Sequence, residues 1–251
     1  MTRLRSTLCF AFLLAACVPA SAQAQATTDY AAALADSTRP EADSSRDAAR
    51  FPAEVLAFAQ VGPGEKVGDF IIGGGYWTRI LSNVVGAGGK VYAFTPDEFI
   101  RFRPAYKDEQ AAAVAGRANV VALNGPVSAP PFPEPLDTII TVQNLHDTFI
   151  GAFPEGTGTT AIAALYAALK PSGTLLVVDH SALPGAGLAA ANALHRMDKD
   201  AAIAALTAAG FVLEAESQIY ARPEDPRTAN VFDPSIRGKT DQFALRFRKP
   251  G

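Results

Sequence analysis

An open α/β sheet of mostly parallel strands is the architecture this sequence predicts, and three observations carry it. From Pro63-Gly64 onward, short apolar runs alternate with stretches of helical periodicity. The first run, Lys66 to Phe70, leads into a glycine turn, Gly73-Gly-Gly75, that opens a helix. Thr174-Leu-Leu-Val-Val178 is apolar almost throughout instead of alternating. Crossover helices cover both faces of a parallel sheet, so its strands lack the polar side that an antiparallel sheet keeps. A strand, a tight glycine turn and a helix start in succession also make the nucleotide-pocket corner of such sheets.

Ahead of the sheet, residues 27–51 are rich in Ala, Asp, Ser and Arg and read as a helical lead-in, with Arg46 and Asp47 on a solvated face. Pro52 then opens a short helix running to Phe58. After the first strand, Trp77, Ile80, Leu81 and Val84 fall at i, i+3, i+4 and i+7, one apolar helix face closed by Gly86. Lys90 to Phe94 is the second strand, a charged stretch from Asp97 to about Gly116 its crossover helix, and Asn119 to Ala122 the third strand. Leu136 to Val142, rich in β-branched residues, suits a central strand. A helix over Thr160 to Lys170 is stopped by Pro171-Ser-Gly173 before a fifth strand, Thr174 to Asp179, and a further helix ends at Ala209-Gly210. Phe211 to Tyr220 and Asp241 to Arg248 alternate apolar with polar residues, which predicts an edge pair with one wetter side. Between them, Ala221 to Lys239 holds three prolines and no evident element, and so long a connection is more often functional than incidental.

Residues 1–26 carry Arg3 and Arg5, an apolar run from Leu8 to Val18, and the small-residue sites Ala20-Ser-Ala22 and Ala24-Gln-Ala26, the pattern of a secretory signal peptide. A spanning helix needs about 20 apolar residues, roughly twice this run, so a removable leader and a periplasmic or secreted domain are expected. Leu14-Ala-Ala-Cys17 supports the alternative of a lipoprotein anchored through Cys17. Cys9 and Cys17 both lie in this segment, so a chain cleaved after it has neither disulfide nor thiol ligand. The remainder has the size of one domain, residues 52–251. A net charge of −3 argues against a nucleic-acid partner.

Asp69 with Gly73-Gly-Gly-Tyr-Trp-Thr78, Asn144-Leu-His-Asp147, Leu169-Lys-Pro-Ser-Gly173 before a strand ending Asp179-His180, His195-Arg196 and the segment Phe232 to Asp241 form a set. With them, from about Pro52 to Pro250, the chain resembles class I S-adenosylmethionine-dependent methyltransferases, and more narrowly the exported methyltransferase-like proteins of Gram-negative bacteria. The resemblance implies a Rossmann-like seven-stranded sheet, mostly parallel with an antiparallel last strand and helices on both faces. It also implies S-adenosylmethionine as cofactor and a small-molecule methyl acceptor. In that frame Asp69 serves the methionine end of the cofactor, Gly73, Gly74 and Gly75 pass beneath it, and Tyr76 and Thr78 begin the helix that faces it. Thr95 and Asn124 fall where the family places acids for the ribose and near the adenine, and Ile71 stands where it has glycine.

Chemistry in an open α/β sheet gathers at the carboxyl ends of the strands, where His146, His180 and His195 are all expected. His146 reads as the base for a hydroxyl or amine acceptor, with Asp147 or Asp179 orienting it and His180 alongside. No metal is read from these residues, because none shows the i, i+4 spacing of a helical ligand pair. Thr78 occupies the third glycine position of a dinucleotide fingerprint and no G-x-S-x-G elbow occurs, which disfavours hydride transfer and serine hydrolysis. In the long loop, Arg237 and Lys239 either meet an acidic substrate group or, with Asp241, pin the loop. Two functions stay open: a methyltransferase, or a catalytically silent binding protein on the same scaffold.

Overall fold

The computed structural model describes residues 28–251. The expected leader, with the cleavage sites read from it and Cys9 and Cys17, lies outside the described residues. Among the described residues no helix is long and apolar enough to cross a membrane.

Short helices α1 (Tyr30–Leu34), α2 (Glu41–Ser44) and α3 (Asp47–Arg50) precede α4 (Pro52–Ala59), which has Pro52 at its start. Then follow β1 (Lys66–Phe70), α5 (Tyr76–Val85), β2 (Lys90–Pro96), α6 (Asp97–Phe102), α7 (Ala105–Val114), β3 (Val120–Gly125) and β4 (Leu136–Val142). The second half comprises α8 (Thr157–Ala168), β5 (Leu169–His180), α9 (Ala190–Leu194), α10 (Lys199–Ala208), β6 (Val212–Ser217) and β7 (Gln242–Arg248).

The strands form one seven-stranded sheet in the order β3-β2-β1-β4-β5-β7-β6. The first five pair in parallel, and β7 is antiparallel to both β5 and β6. Successive strand residues point to opposite faces, so β4 and β5 feed two cores. Ile139 and Leu175 join Phe70, Leu165 and Phe211 on one side, while Ile140 and Leu176 join Leu56, Ile80 and Leu81 on the other. The order reverses between β1 and β4, and the loops leaving their carboxyl ends border the crevice where such sheets bind ligands.

Two expectations are corrected. The charged stretch after β2 is two helices, because Arg103 leaves helical geometry (φ −138°, ψ 95°) ahead of Pro104, as the residue before a proline tends to do. The last two strands do form the pair at one end of the sheet, with β6 outermost, and Arg246 and Arg248 of β7 reach Glu214 of β6 at 2.8 and 2.7 Å. The lead-in charges are only partly a solvated face: Arg46 is exposed, but Arg39 and Asp43 are buried. Arg39 grips Asp47 through two hydrogen bonds (2.8 and 2.6 Å), and buried Asp43 accepts from Arg46 and Arg79, each at 2.7 Å.

Candidate functional site

Asp69, one residue from the end of β1, is buried and points into the start of α5. Its carboxylate accepts the Thr78 hydroxyl at 2.6 Å and the Thr78 backbone N–H. The residue flanking α5 is Gly75, which has no side chain to cap the helix, so Asp69 satisfies a free N–H from a distance. Burial dominates its ionisation and pushes it up to about 7, against the two Thr78 hydrogen bonds. Asp69 and Thr78 therefore hold the turn together and do not line the cavity.

The three glycines divide their work. A Cβ on Gly75 (φ 80°) would overlap Ala113 of α7, so this glycine permits close helix packing rather than ligand approach. At Gly73 and Gly74 a Cβ would meet nothing within 4 Å. Tyr76, expected to face a cofactor, turns to the lead-in instead. Its hydroxyl donates to Asp47 at 2.6 Å, and its ring lies beneath the guanidinium groups of Arg50, Arg46 and Arg39 at 4.7, 5.1 and 5.7 Å. Asn124 is exposed, and its amide donates to Thr95 O (2.9 Å) and Gln110 Oε1 (3.0 Å), joining β2 and β3 to α7.

Ile71 has φ 64°, the left-handed region that a β-branched side chain rarely enters, and it is buried. Asn144 Nδ2 donates to Ile71 O (2.9 Å) and Val142 O (2.7 Å), lacing the ends of β1 and β4 together across the switch point. Gln143 beside it is also left-handed (φ 63°). Strain of this kind concentrates at functional positions.

Ile71, Gly73, Thr95 and Phe99 wall one side of a cavity of about 230 Å³, and His146, Asp147 and His180 wall the other. Thr95 is buried, and its hydroxyl has no hydrogen-bond partner. His146 begins a 3-10 turn after β4, and Asp179 sits near the end of β5. Asp179 accepts from the His146 backbone N–H (2.8 Å), from His146 Nδ1 (2.6 Å) and from the His180 backbone N–H (2.8 Å). His146 Nε2 lies 3.2 Å from Asp147 Oδ1, and His195 Nδ1 reaches the same oxygen at 3.4 Å.

Burial alone would strip the proton from His146, but the flanking Asp179 and Asp147 outweigh it and raise the imidazole to about 10. At neutral pH it is a cation, a proton donor rather than the expected base. Burial likewise opposes ionisation of Asp147, yet the His146 and His195 imidazoles hold it down to about 2. His180 is lowered to about 4, chiefly by burial, and stays neutral; its Nδ1 is 2.8 Å from Thr240 Oγ1.

The 221–239 loop covers this edge. Val231 N–H donates to Leu194 O, and the Phe232 ring packs on His195 with centroids 4.9 Å apart. Arg237 and Lys239 are exposed and do not pin it. Fully buried Arg196 does, with two hydrogen bonds to Asp225 (2.8 and 3.1 Å), while Asp241 accepts the Arg222 N–H at 2.6 Å and pairs with Arg227 at 3.0 Å. Sequence reasoning placed Asn144 and Arg196 in motifs but missed their partners, Ile71 and Asp225, since nothing local marks a partner 73 or 29 positions away.

These residues fit S-adenosylmethionine in part. Gly73 and Gly74 leave open backbone, the unpartnered Thr95 hydroxyl stands where a ribose is expected, and Phe99 offers an apolar wall; Ile71 narrows the cavity and no carboxylate replaces Thr95.

The sequence matches no protein-family profile and no curated protein. Solved structures do resemble it in shape. An S-adenosylmethionine-dependent methyltransferase from Aquifex aeolicus superposes with a TM-score of 0.55 at 20% identity, covering 88% of this chain and 98% of its own. A putative methyltransferase from Bacillus halodurans gives 0.54 at 20% identity over 80% of this chain and 99% of its own. The [4+2]-cyclase SpnF gives 0.57 at 17% identity over 81% of each chain. The strand order, the antiparallel seventh strand and these superpositions together show that the chain has the Rossmann-like fold of class I S-adenosylmethionine-dependent methyltransferases.

Proposed function

We propose that this protein is an S-adenosylmethionine-dependent methyltransferase of a small-molecule acceptor. One observation carries the reading: a single cavity joins Gly73 and the free Thr95 hydroxyl to His146, Asp147 and His180, so a cofactor side and an acceptor side share one space. The bound cofactor supplies an electrophilic methyl group on a sulfonium. Gly73 and Gly74 pass beneath it and Thr95 meets its ribose. His180, neutral and lining the cavity, accepts a hydrogen bond from the acceptor.

Ile71 is the observation favouring the second reading, a catalytically silent binding protein, because it lines that same cavity where the resembled family has glycine. Titration calorimetry of the chain with S-adenosylmethionine and S-adenosylhomocysteine separates the two. Saturable heat that is lost in Gly73→Val supports the methyltransferase, and no heat at high micromolar ligand removes it. The reading extends to an exported protein cut after the leader or lipidated at Cys17; N-terminal sequencing and mass of the product from a periplasmic fraction test that.

A further inference from the structure

We propose that His146 Nε2, Asp147 Oδ1 and His195 Nδ1 bind a divalent transition-metal ion, zinc being the best match, with a fourth position left open. The sequence offered no helical ligand pair, but the fold gathers these ligands from two loop ends, the turn after β4 and the end of α9.

Distance is the first argument. Ligand atoms about 2.0–2.1 Å from a tetrahedral zinc ion lie about 3.3–3.4 Å from one another. Asp147 Oδ1 stands 3.2 Å from His146 Nε2 and 3.4 Å from His195 Nδ1, and the three ligand atoms all fall within 4.8 Å of one another. The two rings meet edge to face at 87°, with centroids 5.5 Å apart.

An unsatisfied atom is the second. His195 Nδ1 is buried and completes no hydrogen bond, an arrangement that folded proteins avoid unless the atom has another partner. His195 also holds φ 51°, the left-handed region, so the backbone is strained in the conformation that turns this nitrogen toward Asp147.

Support behind the ligands is the third. Asp179, fully buried, accepts from His146 Nδ1 at 2.6 Å, which fixes the tautomer and leaves Nε2 as the coordinating nitrogen. A carboxylate behind a metal-bound imidazole is the usual supporting partner. No lysine or arginine is among the residues that line the cavity, and buried Arg196, next to His195, is paired with Asp225. The ligand set, two histidines and one carboxylate, suits zinc or another first-row divalent ion. Binding replaces the His146 Nε2 proton by a bond to the metal and releases that proton to solvent, while Nδ1–H keeps donating to Asp179. Two of the three ligands, His146 and Asp147, line the space assigned above to the acceptor, where a bound ion would polarise an acceptor oxygen.

The test uses the full chain, stripped with a chelator and titrated with zinc, then cobalt, without S-adenosylmethionine, so its outcome is independent of cofactor binding. Expected are one saturable site per chain, a visible cobalt spectrum of four-coordinate type, and a thermal midpoint raised by zinc. Asp147→Asn and His195→Ala, each checked for a native circular-dichroism spectrum, should weaken binding at least tenfold and abolish both the spectrum and the midpoint shift. Asp179→Asn should weaken it by about 10–100-fold. Absence of saturable binding to the unmodified chain, or unchanged binding in both Asp147→Asn and His195→Ala, would overturn the site.

Discussion

Thr78 donates its hydroxyl to Asp69 across 2.6 Å, tying the end of β1 to the first turn of α5 inside a buried environment. This bond, not a ligand, holds the carboxyl group. Because the folded-state value is raised to about 7, the proton is bound more tightly in the folded chain than in the unfolded one. Stability is then fully present below the unfolded pKa near 4 and falls as pH rises toward 7, by about 1.4 kcal/mol per unit from this group alone. Asp69→Asn keeps an acceptor for Thr78 and should remove that slope. Urea denaturation at pH 5 and pH 8 checks it: the unmodified chain should lose about 2–3 kcal/mol more than the variant between the two.

Ile71→Gly exchanges two opposed effects. Relief of a left-handed β-branched residue returns about 1–3 kcal/mol, whereas deleting a buried Ile side chain loses about 2–5 kcal/mol. The loss wins, so the variant should be less stable by about 1–2 kcal/mol in urea titrations. The same change enlarges the cavity, and S-adenosylhomocysteine should bind it more tightly than the unmodified chain in calorimetry. Weaker binding would show that the Ile71 side chain contacts the ligand rather than blocking it.

Gly75→Ala and Gly73→Ala should differ sharply although only one residue separates them. Both force a side chain into positive φ, at about 1 kcal/mol, but Gly75→Ala also drives a methyl into Ala113 and adds about 1–3 kcal/mol of overpacking. Thermal unfolding should rank Gly75→Ala clearly below Gly73→Ala, while ligand titration should be the more sensitive to Gly73.

Arg196→Ala leaves Asp225 a buried charge without its partner, and breaking such a pair typically loses about 3–5 kcal/mol. Asp225 also accepts the Asp241 N–H at 2.7 Å, so the damage should spread along residues 221–239. Limited proteolysis should cut first within that loop in the variant and not in the unmodified chain.

Much of the fold was legible because its signals are local. The strand cores, the apolar face of Trp77, Ile80, Leu81 and Val84, and the stop at Gly86 follow from side-chain periodicity and backbone freedom over a few residues. That all three histidines gather at one edge followed from strand direction alone, since ring centroids of His180 and His195 lie 5.9 and 5.5 Å from that of His146. The break at Pro104 was readable too, but the charge pattern on either side masked it.

What the sequence by itself determined is therefore the alternation of strands and helices, the glycine turn and the candidate residues near it. Only the tertiary structure decided their roles. Gly75 packs against Ala113, Tyr76 turns to Asp47, Asp69 caps α5, and Arg246 and Arg248 pair with Glu214 across the edge pair. The physical reason is range. Periodicity and turn chemistry act between neighbours along the chain, whereas packing clearance, buried hydrogen-bond partners and the protonation of His146 between Asp147 and Asp179 depend on groups that are near only once the chain has folded.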